Sequence, residues 1–303
     1  MKNYQRMEGM VAATFTPMDA NGEVNYAVIE NYAEWAAKSK FAGVFVCGTT
    51  GESQSLTLEE RMLILEKWIA CASGRFKVIA HVGSNCQKDA IALAAHAAKK
   101  GADAISSIAP NFFRPGSVKD LTDFFKPIAA AAPELPFYYY NMPSMSGVCL
   151  SVVDFLKEGS KVIPNLVGVK FTHNNLMEMG ECIAFENNRF EVLHGYDEIL
   201  IAGLAFGAKA GVGSTYNYIP NVYRGIFEAM KENNVEKARQ LQEISIQVVE
   251  IIIKYGGGVR GGKAIMNLIG IECGSCRSPF AAFSEEEYKS LKEDLEKINF
   301  FSL

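Results

Sequence analysis

Eight short β-type runs separated by helical patterns, followed by a stretch that is helical only, predict an α/β chain: a (β/α)8 TIM barrel with a C-terminal helical extension. Three observations carry this prediction. The runs are short and apolar. Helical patterns alternate with them nearly to the end, which argues for parallel βα units. A length of 303 residues suffices for a barrel with an appendage.

The strand-like runs are residues 9–14, 43–47, 77–82, 104–108, 136–141, 166–171, 190–194 and 210–214. After the second, Leu58, Met62, Leu65 and Ile69 recur at i, i+4, i+7 and i+11, one face of a helix. Thr57 and Glu60 supply a capping box at its start. The helix after the third run is rich in alanine (Ala90, Ala94, Ala95, Ala98), which suits close packing on a sheet, and Gly101-Ala102-Asp103 turns the chain into the fourth. In the fifth, Tyr138 and Tyr140 share one face, Phe137 and Tyr139 the other. After the eighth run the alternation stops. Residues 220–232, 235–255, 263–269 and 284–298 all read as helices, the last with Tyr288, Leu291, Leu295 and Ile298 on one stripe behind the capping pair Ser284 and Glu287. Residues 1–232 are therefore read as the barrel and 233–303 as the helical extension, divided near Asn233-Asn234.

Hydrophobic residues make up 49% and charged residues 21%, enough for a sizeable core. Thirty basic and 34 acidic side chains, interspersed, give a net charge of −4, which points away from nucleic acid and anionic membranes as partners. The first nine residues lack the apolar core of a signal peptide, and no segment is long and apolar enough to span a bilayer, so a cytoplasmic location is expected. Cys47, Cys71, Cys149 and Cys182 lie in apolar runs and read as buried, reduced thiols. Cys273 and Cys276 have redox or zinc spacing. No second pair accompanies them and the four histidines (His81, His96, His173, His194) are scattered, so no metal is expected.

A barrel places its chemistry at the C-terminal ends of the strands. Lys170 ends the apolar run Asn165-Leu166-Val167-Gly168-Val169-Lys170. An amine in an apolar interior is disfavoured as ammonium, and as the free base it can attack a carbonyl carbon. The ordinary alternative is a lysine that snorkels to solvent or pairs with a carboxylate. Tyr140, ending the neighbouring run, tips the balance: a lysine and a phenol side by side could supply a Schiff base and a proton shuttle. Gly48-Thr49-Thr50-Gly51-Glu52 follows the second run and could offer backbone N–H groups and two hydroxyls to a small carboxylate, although an ordinary strand-to-helix turn reads the same way. Gly211-Val212-Gly213-Ser214 is a second glycine-rich mouth, with no basic residue close behind to hold a phosphate. Gly195-Tyr196-Asp197-Glu198 puts two carboxylates after the seventh run, either as favourable charge at a helix start or as acceptors for a hydroxyl-rich substrate. Lys209 falls at the opposite, stability end of the barrel.

Together these residues resemble the class I aldolase family of the N-acetylneuraminate lyases and dihydrodipicolinate synthases. The resemblance runs along nearly the whole chain, with Gly48-Thr49-Thr50-Gly51-Glu52, Tyr140-Asn141-Met142-Pro143, Gly168-Val169-Lys170 and Gly211-Val212-Gly213-Ser214 in the family's order. It implies a carbon–carbon lyase working through pyruvate chemistry, usually a homotetramer, with no metal or organic cofactor. It also implies Lys170 as the Schiff-base lysine, Tyr140 as the proton-relaying tyrosine, and Thr49 and Thr50 as the pair that holds the pyruvate carboxylate. The lysine-biosynthetic members carry an arginine shortly after the tyrosine motif to bind a second carboxylate. Met145 stands there in this chain, and a thioether cannot pair with a carboxylate. Lys170-Phe171-Thr172 and Gly195-Tyr196-Asp197-Glu198 look like the sialate lyases, in which Thr172, Gly195, Asp197, Glu198 and Ser214 would contact the sugar hydroxyl chain. The implied reaction is reversible aldol cleavage of N-acetylneuraminate to N-acetylmannosamine and pyruvate. The alternatives are an aldolase for another 2-keto-3-deoxy sugar acid, or a non-catalytic sugar-acid-binding protein on the same barrel. One departure stands out. Many relatives have a Tyr-Tyr pair after the proline of the fourth run, whereas Pro110-Asn111-Phe112-Phe113 has no phenol. An intersubunit tyrosine relay is therefore not expected, and water or the substrate's own carboxylate would carry the proton.

Overall fold

The computed structural model describes residues 4–303; residues 1–3, part of the segment read for a signal peptide, lie outside the described residues. The short apolar strands need cover on both faces, and a closed barrel wrapped in helices gives it. Strands β1 (Gly9–Ala13), β2 (Gly43–Val46), β3 (Lys77–His81), β4 (Ala104–Ile108), β5 (Phe137–Asn141), β6 (Leu166–Phe171), β7 (Glu191–His194) and β8 (Ala210–Gly213) pair in chain order. All pairs are parallel, and β8 returns to β1 with Val212 opposite Val11. Their ends differ from the sequence reading by at most a residue.

The helices are α1 (Val28–Lys38), α2 (Leu58–Ala72), α3 (Gln87–Lys100), α4 (Val118–Ala130), α5 (Pro143–Ser146), α6 (Val152–Gly159), α7 (Leu176–Ala184), α8 (Leu200–Ala205) and α9 (Pro220–Lys231). Three more follow: α10 (Val235–Lys254), α11 (Gly257–Leu268) and α12 (Glu285–Lys297). Both expected capping boxes form. The Thr57 hydroxyl accepts from the Glu60 N–H at 3.2 Å while the Glu60 carboxylate accepts from the Thr57 N–H at 2.8 Å. Ser284 and Glu287 exchange the equivalent bonds at the start of α12.

The two-residue period sorts the core into two parts. Val11, Phe45, Ile79, Tyr138, Tyr140 and Val212 fill the barrel interior. Val44, Phe137, Tyr139, Val169 and Phe171 face outward to the helices, where they meet side chains such as Trp68 and Phe125.

Three features depart from the sequence reading. The helix expected from residue 263 begins at Gly257 instead. Glycines argue against a helix by propensity, but here packing wins. A Cβ on Gly261 would lie 2.9 Å from the Ile252 carbonyl oxygen, so its absence lets α11 lie close against α10. The brief α5 starts with proline at a first-turn position, where no N–H is needed. Cysteine burial is also mixed: Cys47, Cys182 and Cys273 are buried, Cys71 and Cys276 partly so, and Cys149, on the loop between α5 and α6, is exposed. An apolar neighbourhood in sequence did not bury a residue on a surface connection. No helix among the described residues is long and apolar enough to cross a membrane.

Candidate active site

Val169 and Phe171 face the helix layer, so the alternation of β6 turns Lys170 into the barrel mouth. It is 4% exposed. The parallel register sets it beside Tyr140 of β5, and its Nζ lies 4.0 Å from the centroid of that ring and 4.3 Å from that of Phe45. The amine is thus walled by aromatic faces rather than carried out to solvent. Tyr140 Oη is 3.2 Å from Thr49 Oγ1 and donates to Met142 Sδ at 2.9 Å.

The turn that presents Thr49 begins at Cys47 and ends at Glu52, both in the left-handed region with φ +55° and +57°. Among the described residues neither the Thr49 nor the Thr50 N–H donates to a backbone oxygen, so both are free for an anion. Two buried groups brace the turn. The imidazole of His81 has Nδ1 2.8 Å from the Cys47 carbonyl oxygen and Nε2 3.3 Å from the Ile108 N–H. A carbonyl only accepts and an N–H only donates, so the ring is the neutral Nδ1–H tautomer. Burial, seconded by the Arg61 guanidinium, holds it well below the usual imidazole range. On the other side, Glu52 Oε1 accepts from Lys263 Nζ at 2.8 Å and Oε2 from the Arg277 N–H at 2.8 Å; both charged side chains of the ion pair are about 1% exposed. The extension thereby holds the end of the turn.

The opposite wall carries two unsatisfied acceptors. Thr172 Oγ1 and Asp197 Oδ1 are buried with no hydrogen-bond partner among the described residues. Buried polar atoms are nearly always paired, so two together in one cavity point to a ligand. Glycines make room for both. A Cβ on Gly195 would fall 2.0 Å from Thr172 Oγ1, and one on Gly213 would fall 1.9 Å from Asp197 Oδ1. The other carboxylate oxygen, Asp197 Oδ2, accepts from the Thr215 N–H at 2.9 Å and its hydroxyl at 2.6 Å. Burial pushes the Asp197 carboxyl up to about 6, against the opposing pull of these two bonds.

All nine residues singled out in the sequence (Thr49, Thr50, Tyr140, Lys170, Thr172, Gly195, Asp197, Glu198 and Ser214) line one cavity of about 260 Å³ at the C-terminal ends of the strands. Larger concavities exist, about 750 Å³ beside residues 18–23 and about 440 Å³ at the other end of the barrel, where Lys209 lies. Convergent chemistry, not volume, distinguishes the smaller one. Met145 sits at its mouth, 55% exposed. Phe112 and Phe113 are also exposed and pack edge to face on each other. Sequence reasoning missed the wall that α10 and α11 supply through Val249, Ile252, Ile253, Gly258 and Val259. It also missed the bracing roles of His81 and Lys263. The only signal for His81 was its place at the end of β3; for Lys263 there was none.

Residues 6–298 match the model of the dihydrodipicolinate synthetase family. The chain belongs to that family. It is 39% identical to N-acetylneuraminate lyase A of Xenopus laevis over 97% of this chain and 98% of that one. Among solved structures, it superposes on the N-acetylneuraminate lyase (sialic acid aldolase) of Aliivibrio salmonicida with a TM-score of 0.95, at 37% identity over 98% of each chain. The Proteus mirabilis N-acetylneuraminate lyase gives a TM-score of 0.94 at 35% identity, covering 98% of this chain and 100% of that one. Family members are class I aldolases, carbon–carbon lyases, and this fold is theirs.

Proposed function

We propose that the protein is a sialic acid aldolase that reversibly cleaves N-acetylneuraminate to N-acetylmannosamine and pyruvate. The observation that carries this reading is a buried amine beside a phenol at one end of the cavity, with two unpaired polyol acceptors at the other. Lys170, as free base, adds to the C2 ketone of the open-chain sugar acid. Loss of water leaves an iminium, held by the Tyr140 and Phe45 ring faces, which favour a cation. The iminium draws the electrons of the breaking C3–C4 bond into an enamine. The proton of the C4 hydroxyl leaves towards Tyr140, whose phenol contacts Thr49, and C4 departs as an aldehyde. Protonation of the enamine carbon and hydrolysis of the imine release pyruvate and restore Lys170.

In this reading the Thr49 and Thr50 N–H groups and hydroxyls hold the pyruvate carboxylate, while Thr172, Gly195, Asp197, Glu198 and Ser214 align the polyol tail. A buried acceptor left without its hydroxyl is costly, so the tail supplies discrimination. Met145 at the mouth disfavours a substrate with a second carboxylate. The reading takes residues 1–232 as the catalytic barrel and 233–303 as the extension that completes its wall. It takes the enzyme to act in the cytoplasm as a homotetramer on small molecules, with water or the substrate carboxylate completing the proton path. Pyruvate release from N-acetylneuraminate, compared with release from shorter 2-keto-3-deoxy acids, tests it. A higher kcat/KM for the sialate supports the assignment, and a preference for the shorter acids moves it to another sugar-acid aldolase.

A further inference from the structure

Behind Asp197 lies a buried run of polar side chains of which only Thr215 lines the cavity. Thr215 Oγ1 is 2.5 Å from Tyr223 Oη, which is 2.7 Å from Ser245 Oγ. Ser245 Oγ accepts from Gln242 Nε2 at 3.1 Å. The same Gln242 amide nitrogen donates to the Asp197 carbonyl oxygen at 3.0 Å, and its Oε1 accepts from the Ile201 N–H at 3.1 Å. Thr215, Tyr223 and Ser245 are at most 1% exposed and Gln242 is 7% exposed.

The direction of every proton in this run follows from its two ends. The Asp197 carboxylate only accepts, so the single Thr215 hydroxyl proton goes to Oδ2. Thr215 Oγ1 then accepts from Tyr223, and Tyr223 Oη accepts from Ser245. At the far end, the Ile201 N–H fixes which way the Gln242 amide faces, so its nitrogen points at Ser245. The Asp197 end thus sets the order Ser245 to Tyr223 to Thr215 to Asp197, favoured over the longer 3.5 Å contact of Ser245 Oγ with the Asp197 carbonyl oxygen, and Gln242 adds its donor to Ser245 at the far end. A buried chain of bonds polarised in one sense strengthens each member. Its effect at the cavity is to occupy Oδ2 and leave Oδ1 as the free oxygen of this carboxylate, facing the space where a Cβ on Gly213 would otherwise sit. The run crosses from the turn after β8 through α9 to α10, so α10 sets the orientation of a side chain at the end of the barrel.

We propose that Tyr223, Ser245 and Gln242 are positioning residues that fix Asp197 as a one-oxygen reader of a substrate hydroxyl and so set selectivity for the polyol tail. The proposal rests on the sialic acid aldolase reading and deepens it. Its experiment measures kcat and KM for N-acetylneuraminate and for a shorter 2-keto-3-deoxy acid lacking the tail, in wild type, Tyr223→Phe, Ser245→Ala and Ser245→Thr. Borohydride trapping of pyruvate is measured alongside. Tyr223→Phe and Ser245→Ala should raise KM for the sialate about tenfold, the equivalent of about 1.4 kcal/mol. Its kcat, the kinetics of the short acid and pyruvate trapping should not change, and Ser245→Thr, which keeps the hydroxyl, should return the sialate KM towards wild type. Equal losses on both substrates, loss of trapping, or no change in KM would overturn the proposal and leave the aldolase reading standing. Should Tyr223→Phe fail to fold, Ser245→Ala against Ser245→Thr decides alone. Failure of the wild type to cleave the sialate would instead sink the functional reading, and this proposal with it.

Discussion

Lys170 and Tyr140 were legible from the sequence because each ends a short apolar run, and a parallel barrel gathers strand ends at one mouth. The register then sets them side by side, as pairing of adjacent strands requires. Thr172 and Asp197 were legible as polar residues in the right places, but not as atoms without partners among the described residues, since their room depends on glycines at the ends of neighbouring strands. The bracing role of His81 was not legible: its place at the end of β3 says little until the carbonyl and N–H it bridges are known. The proton shuttle is the assignment most open to test at this scale. Tyr140→Phe should lower kcat by about 10²- to 10⁴-fold, the usual worth of general acid–base catalysis, while pyruvate still forms a trappable imine. Single-turnover kinetics would show it, and an unchanged kcat would remove the phenol from the proton path.

Among the elements, the strands and capped helices were readable because period and caps are local properties. What could not be read was how α10 and α11 close onto the barrel. That contact depends on residues more than 200 positions apart, such as Glu52 and Lys263, whose bond spans 211 positions. The start of α11 was misplaced for a related reason, because its glycines serve packing against α10 instead of local propensity. The buried ion pair gives a quantitative expectation. Lys263→Met strands an unpaired carboxylate and should cost about 3–5 kcal/mol in denaturant unfolding, with the double change Glu52→Gln, Lys263→Met recovering much of it. Additive losses in the double variant would mean that the two charges do not support each other.

For the whole molecule, the barrel divides its labour between two ends. The C-terminal end holds the candidate site. At the other end Glu191, in β7, accepts from the Met7 N–H at 2.8 Å and from Tyr138 at 3.4 Å, and among the described residues its Oε1 has no partner. Burial raises this carboxyl from its usual 4.5 to about 7. The folded chain therefore keeps a proton between about pH 4.5 and 7 that the unfolded chain has lost, so this group's contribution to stability falls as pH rises through that window. His81 and His194, held neutral by burial, act in the opposite sense below about pH 6.5, so a bare melting curve would mix the two effects. Comparing Glu191→Gln with wild type isolates the carboxyl. The variant should gain on wild type as pH climbs, by up to about 3 kcal/mol at pH 8, and a pH-independent difference would contradict the assignment.

One measurement bears most directly on the account: borohydride reduction in the presence of pyruvate, followed by peptide mass mapping, on wild type and Lys170→Ala. A three-carbon adduct on Lys170, absent from the variant together with all sialate cleavage, is the predicted result. An adduct on another lysine, or a variant that still cleaves the sialate, would contradict it.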